Sequence, residues 1–176
     1  MLFRSNYGSV GIGSSQHLSG AYFEQVTGVK VTHVPYRNIA QYMPDMIAGT
    51  VPLGFQWLPN VAAALQSGGA RALAVAAKQR MAALPDVPTT AEAGLPEYES
   101  SGWFMMLAPH GTPQPIIARL NQELNAATTD PTVLARVTEQ GAHMMALAPE
   151  ELSRMIVAET AKWRDIIHKA GIEPIQ

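Results

Sequence analysis

The run Tyr7-Gly8-Ser9-Val10-Gly11-Ile12-Gly13-Ser14-Ser15-Gln16-His17-Leu18 sets glycines, hydroxyls and a histidine at spacings that suit anion chemistry. Glycine carries no Cβ, so the backbone at Gly11 and Gly13 can approach a ligand closely. Ser14 or Ser15 is a good cap for the helix that follows. The first N–H groups of such a helix lack intrahelical partners and lie at the positive end of its dipole. Ser9, Gly11, Gly13, Ser14 and Ser15 are therefore candidate contacts to an anion. A few N–H groups and hydroxyls can hold a carboxylate without arginine, because hydrogen bonds to a charged acceptor are the stronger kind. The plainer alternative is a capped strand-to-helix turn with no ligand. A dinucleotide fingerprint fails here, since Gln16 stands where the third glycine belongs.

His17 follows Ser14 by three residues, so both lie on one face of the helix. That spacing admits a second class of chemistry, a small serine esterase or hydrolase using Ser14 or Ser15 with His17 as base. No third group that would orient the histidine is assignable, and a packing or capping role is the simpler reading. The five histidines show no HxxxH or HxH spacing, so no metal site is expected, and no cofactor either.

Two further clusters join the candidate site. Tyr36 and Arg37 follow an apolar run ending in Pro35, and either faces a ligand from there; Arg37 is equally readable as a surface charge or a partner for Asp45. Asn38 comes next, a residue type that tolerates positive φ better than most. Gln56 and Trp57 end another apolar run, the end at which open α/β sheets place their crevices. Gln56 offers donors and an acceptor but no charge. Trp57 either lines the crevice or packs at an interface.

The elements that must position these residues alternate. Arg4–Ser9, Val29–Pro35, Val51–Trp57, Arg71–Ala76 and Gly102–Ala108 read as strands. Helices are expected from Ser14 or Ser15 to about Thr27, over Ile39–Ala48 with Pro44 bending or restarting it, and from Pro59 to Gln66. Leu84–Thr90 reads as a proline-stiffened loop, and Thr89 or Thr90 as the cap of a short helical turn over Ala91–Gly94. This βαβ alternation implies a mainly parallel sheet. Beyond Pro109-His110-Gly111-Thr112-Pro113 the chain turns helical. Thr112 is the expected N-cap with Pro113 first in the helix. Asp130 and Pro131 open the next helix, and Pro149-Glu150-Glu151 a third that Gly171 ends. Met144–Leu147 is a weak strand candidate. Trp103, Phe104 and the paired methionines Met105-Met106 and Met144-Met145 are expected to pack inside.

Across 176 residues the formal net charge is −2 and 47% of residues are hydrophobic. That share supports a core, and the charge does not favour nucleic acid or an anionic membrane as partner. Cysteine is absent, so disulfides and thiolate metal sites are excluded. Met1–Asn6 lacks the basic start and apolar stretch of a signal peptide. A tail of amphipathic helices with no sheet of its own must bury its apolar faces on something else.

The motifs also occur in a family order. The Tyr7–Leu18 run resembles the second-lobe turn of the Bug-type solute-binding proteins, the extracytoplasmic receptors of tripartite tricarboxylate transporters. The resemblance continues through Val34-Pro35-Tyr36-Arg37-Asn38, Arg71–Val75, Leu84–Thr89, Ala91-Glu92-Ala93-Gly94-Leu95-Pro96, Trp103-Phe104, Ala108–Pro113 and Lys162-Trp163. Asn38 departs from the family's usual glycine, and Gln56 from the aspartate or asparagine that many relatives carry at or beside it. That second departure argues against amino-acid ligands.

The resemblance implies an α/β, periplasmic-binding-protein-like (type II) fold. Residues 1–107 would form the second lobe, and 108–176 the C-terminal helices of an incomplete first lobe, with Trp103-Phe104 near the hinge. It further implies a non-enzymatic, periplasmic binder of a small organic carboxylate that works with transporter membrane subunits. A chain that begins at its second lobe is expected to be N-terminally truncated, to bind weakly, and to form a homo-oligomer, by segment exchange in one form. A fragment with no independent activity is the remaining alternative.

Overall fold

The computed structural model describes residues 5–173. Strand β1 (Asn6–Ser9) lies between β2 (Thr32–Pro35) and β3 (Leu53–Gly54) in a three-stranded parallel sheet of order β2-β1-β3. The register pairs Tyr7 with His33 and Leu53, and Gly8 with Val34 and Gly54. Helix α1 (Ser15–Thr27) links β1 to β2, α2 (Ile39–Ile47) links β2 to β3, and α3 (Leu58–Gln66) follows β3. Arg4, where the first strand was expected to begin, lies outside the described residues.

Local chemistry sets the ends of these elements. Ser14 caps α1 by accepting the His17 N–H, and Gly28 ends it at φ 71°. Asn38 caps α2 by accepting the Gln41 N–H at 3.1 Å. Its φ is −159°, so the positive φ considered for it is not needed; the side chain that would have eased a left-handed turn serves as a helix cap. Pro44 sits within α2, which stays a single element. The Tyr42 ring is fully buried against the sheet, over Gly8 and Gly54, where an added Cβ would overlap it. Its hydroxyl donates to the Leu53 carbonyl at 2.9 Å and ties α2 to β3.

Residues 67–113 contain no strand or α-helix. The expected strand at Arg71–Ala76 is an extended segment with one parallel bridge, Val75 to Thr89. Gly102–Ala108 and Met144–Leu147 are not strands either. An apolar run becomes a strand only beside a partner edge, and none lies beside these among the described residues. Phe104 is 99% exposed, and Met106 and Met145 are also open to solvent, against the expectation that they pack inside. The segment is fastened at particular points instead. Glu92 accepts the Thr89 N–H at 2.7 Å and returns its own N–H to Thr89 Oγ1 at 3.1 Å, a reciprocal cap on the turn at Ala91–Gly94. Tyr98 is buried, donates to the Ser19 carbonyl at 2.9 Å and stacks on Tyr22 at 5.1 Å.

Three helices follow: α4 (Gln114–Ala127), α5 (Pro131–Glu139) and α6 (Pro149–Lys169). Thr112 is not the cap of α4. Pro113 occupies the N-cap position and the Thr112 hydroxyl donates to the Pro109 carbonyl at 2.8 Å. Asp130 caps α5 as expected, accepting from the Thr132 and Val133 N–H groups. Helix α6 packs on α1: Ile166 is buried, Gln25 donates to its carbonyl at 2.8 Å, and Lys162 donates to the Glu99 carbonyl at 2.7 Å. Helices α4 and α5 have no buried residue.

Candidate functional site

The candidate residues converge on the C-terminal edge of the parallel sheet, where β1 runs through the glycine turn into α1. Gly11 and Gly13 take φ values of 124° and 77°, which strain any residue with a side chain, so the glycine spacing is a requirement of the turn's shape. The Ser14 hydroxyl donates to the Gly11 carbonyl at 2.7 Å and accepts the His17 N–H at 3.3 Å, closing the turn onto the helix.

The donors divide into two groups. The Gly11 N–H goes to Ser9 Oγ at 3.0 Å and the Gly13 N–H to His17 Nδ1 at 3.0 Å. The N–H groups of Ser15 and Gln16, at the first turn of α1, donate to no protein atom among the described residues. Ser15 is exposed, and its hydroxyl accepts a 3.4 Å bond from Trp57 Nε1. The positive end of α1 thus carries two N–H groups without a protein acceptor among the described residues and the exposed Ser15 hydroxyl beside them.

Ser9 is fully buried. Its Oγ lies 2.6 Å from His33 Nε2 and bonds both the N–H and the carbonyl of Gly11, so it braces the turn from beneath. Tyr36 joins the edge through its backbone, donating its N–H to the Ser9 carbonyl at 2.8 Å. Its hydroxyl donates to Asp45 at 2.7 Å, and that bond raises its pKa. Asp45 is therefore the partner of Tyr36; Arg37 is exposed and ion-paired to nothing among the described residues. The exposed Trp57 ring lies against Gly102, where a Cβ would overlap it.

Gln56 belongs to a directed chain. The Val10 N–H donates to Gln16 Oε1 at 3.0 Å, and Gln16 Nε2 donates to Gln56 Oε1 at 3.1 Å. This order fixes both amides and leaves the buried Gln56 Nε2 as a donor without a hydrogen-bond partner. Gln16 is 4% exposed and escaped the sequence reading except as the residue that broke a glycine motif. His33 escaped it altogether. Its ring stacks on His17 at 4.0 Å with 17° between planes. Burial, with His17 beside it, pushes the His33 pKa down to about 4, and burial also lowers that of His17. A serine–histidine pair does exist, but at Ser9 and His33 rather than at the helix start, and the serine is sealed from solvent. Ser14 and His17 meet only through the backbone N–H of His17, whose Nδ1 is taken by Gly13. Among the described residues no acid and histidine cluster has the composition of a metal site.

This arrangement has close counterparts in known proteins. A family model described as Tripartite tricarboxylate transporter family receptor matches residues 4–172. Protein BugT of Bordetella pertussis is 32% identical over 160 residues, covering 91% of this chain and 49% of that protein. Among solved structures, Rpa4515 of R. palustris with adipate superposes with a TM-score of 0.81 at 37% identity, covering 97% of this chain and 57% of that one. MatC of Rhodopseudomonas palustris, with bound malate, gives 0.70 at 30% identity over 93% of this chain and 56% of that one. The chain thus spans about half the length of each of these relatives. The parallel sheet with flanking helices is the fold of periplasmic binding proteins. A glycine turn at the sheet edge, a serine-capped helix behind it, and a family match over nearly the whole chain lead to one assignment: this chain belongs to the tripartite tricarboxylate transporter receptor family, the Bug-type solute-binding proteins.

Proposed function

We propose that the chain binds a small organic carboxylate at the turn formed by residues 9–15 and serves, in the periplasm, as receptor for the membrane subunits of a tripartite tricarboxylate-type transporter. The observation that carries this reading is that the N–H groups of Ser15 and Gln16 have no protein acceptor among the described residues, beside the exposed Ser15 hydroxyl at the positive end of α1. No carboxylate of the protein is bonded to that end among the described residues, so an anionic guest meets no competing anion there. Gly11, Gly13 and Ser14 set the shape of the turn, and Ser9 braces it. Tyr36 and Trp57 flank it, Gln56 lies behind it, and Arg37 supplies positive charge at the rim. The relatives with adipate and malate are consistent with a dicarboxylate guest.

A cleft binder of this kind has contacts on two lobes, so this chain alone binds weakly. Its exposed apolar residues on α4 and at 103–107 favour association with a second copy, by segment exchange in one form. A monomer that persists over a wide concentration range in light scattering overturns the association. Calorimetry with adipate and malate tests the binding. Saturable heat that Ser15→Ala weakens is the expected result, and silence toward both acids overturns the reading. The hydrolase reading gains nothing from the geometry.

A further inference from the structure

Of the two glycine N–H groups of the turn, one is held by a histidine and the other by a serine that a second histidine contacts. His17 accepts the Gly13 N–H directly at Nδ1, and His33 reaches the Gly11 N–H through Ser9. An imidazole that accepts at Nδ1 is neutral and carries its proton on Nε2. Once protonated it has hydrogens on both nitrogens and can accept nothing, so the Gly13 N–H must be let go. His17 is thus not an inert cap; its charge state decides whether a backbone donor of the turn is engaged or open.

The surroundings leave this proton to His17. On β2, His33 stacks against it, and two imidazoles at 4.0 Å resist carrying charge together. On β1, the Tyr7 hydroxyl donates to the His17 carbonyl at 3.3 Å, and its ring lies 5.1 Å from that of His33. On α1 itself, Glu24 is engaged by the Val31 N–H at 2.8 Å. On α2, Asp45 is bonded to Tyr36, and in the β2–α2 connection Arg37 stands on the surface. No carboxylate, lysine or arginine is bonded to either imidazole among the described residues.

We propose that carboxylate binding at the turn is coupled to uptake of one proton at His17 Nδ1. Neutral His17 competes with the ligand for the Gly13 N–H; protonated His17 cedes that donor and adds positive charge beside the bound carboxylate. The proton comes from solvent, and no covalent bond forms or breaks. The coupling rests on the carboxylate reading of the turn.

Calorimetry with adipate in buffers of different ionisation enthalpy tests it. Affinity should rise as pH falls from about 8 to about 6, by at most about tenfold per unit, with uptake approaching one proton per ligand. In His17→Gln the amide oxygen can still take the Gly13 N–H but does not titrate, so the slope should vanish. The Gly13 amide resonance of the free wild-type chain supplies a readout that needs no variant: it should shift along the His17 ring titration. A flat wild-type profile, a slope that survives in folded His17→Gln, or a Gly13 resonance indifferent to His17 overturns the coupling alone. Absence of adipate heat at every pH overturns the carboxylate reading and the coupling with it.

Discussion

The sheet and the C-terminal helices are built on opposite terms. In the sheet, Tyr7 and Ser9 are buried on the central strand and Tyr42 closes over its glycines. Every part there depends on residues distant in sequence. Helices α4 and α5 are set mainly by what is adjacent: Asp130 on the N–H groups of Thr132 and Val133, Arg119 to Glu123 at 2.6 Å one turn on. Of the three tail helices, only α6 buries a residue, at Ile166. The contrast teaches that a helix can be specified locally and still lack a place to bury its face, whereas a strand cannot be specified without its neighbour.

Single substitutions can break or sharpen that contrast. The largest effect belongs to Tyr42→Ala, which empties a fully buried site; a loss of about 3–5 kcal/mol in urea unfolding is expected. A much smaller loss would mean the sheet is less tightly built than the tail comparison requires. Ile166→Ala should cost about 2–4 kcal/mol, with α6 coming off α1 before the sheet melts, readable as an early loss of Trp163 fluorescence. Next comes acid. The His33 pKa is lowered on folding, so the folded state binds fewer protons. Its contribution is complete above about pH 6.5 and declines as pH falls toward about 4. After discounting for solvent around a partly buried ring, the loss should be about 1–2 kcal/mol. His33→Gln should flatten that part of the melting-temperature profile, and an unchanged profile would remove His33 as its source. Asp130→Ala should cost about 1 kcal/mol, with loss of helicity at α5. Smallest is Leu120→Ala, within about 0.5 kcal/mol in dilute solution. A larger cost that grows with protein concentration would show the α4 face covered by a second copy.

What was legible in the sequence follows the same divide. Gly11, Gly13 and Ser14 announced the turn because its conformation demands glycine and its helix a cap, both local requirements. Asp130 and Gly28 marked ends for the same reason. Arg71–Ala76 and Gly102–Ala108 misled because an apolar run reports a tendency to be buried and says nothing of an edge to pair with. Thr112 was off by one residue because Pro113 satisfies the start of α4 from the cap position. In the site, the residues of the turn were readable, Ser9 and Gln56 among the candidates, but the pairings that make those two braces were not. Ser9 with His33 and Gln16 with Gln56 join positions 24 and 40 residues apart. Only the polar character of Gln16 in the first turn of a helix set on the sheet hinted at a buried amide.

The bond from Gln25 to the Ile166 carbonyl spans 141 residues. Docking α6 on α1 therefore ties most of the chain into one ring. Closure entropy grows only with the logarithm of ring size, about 0.6 kcal/mol per doubling. A ring one quarter as long would save only about 1.2 kcal/mol by that rule. The seam's hold on the tail therefore depends little on the length of what lies between its ends. Residues inserted at the exposed tip near Gly111 should leave that seam shut, which makes this tip the natural place to splice in a reporter domain.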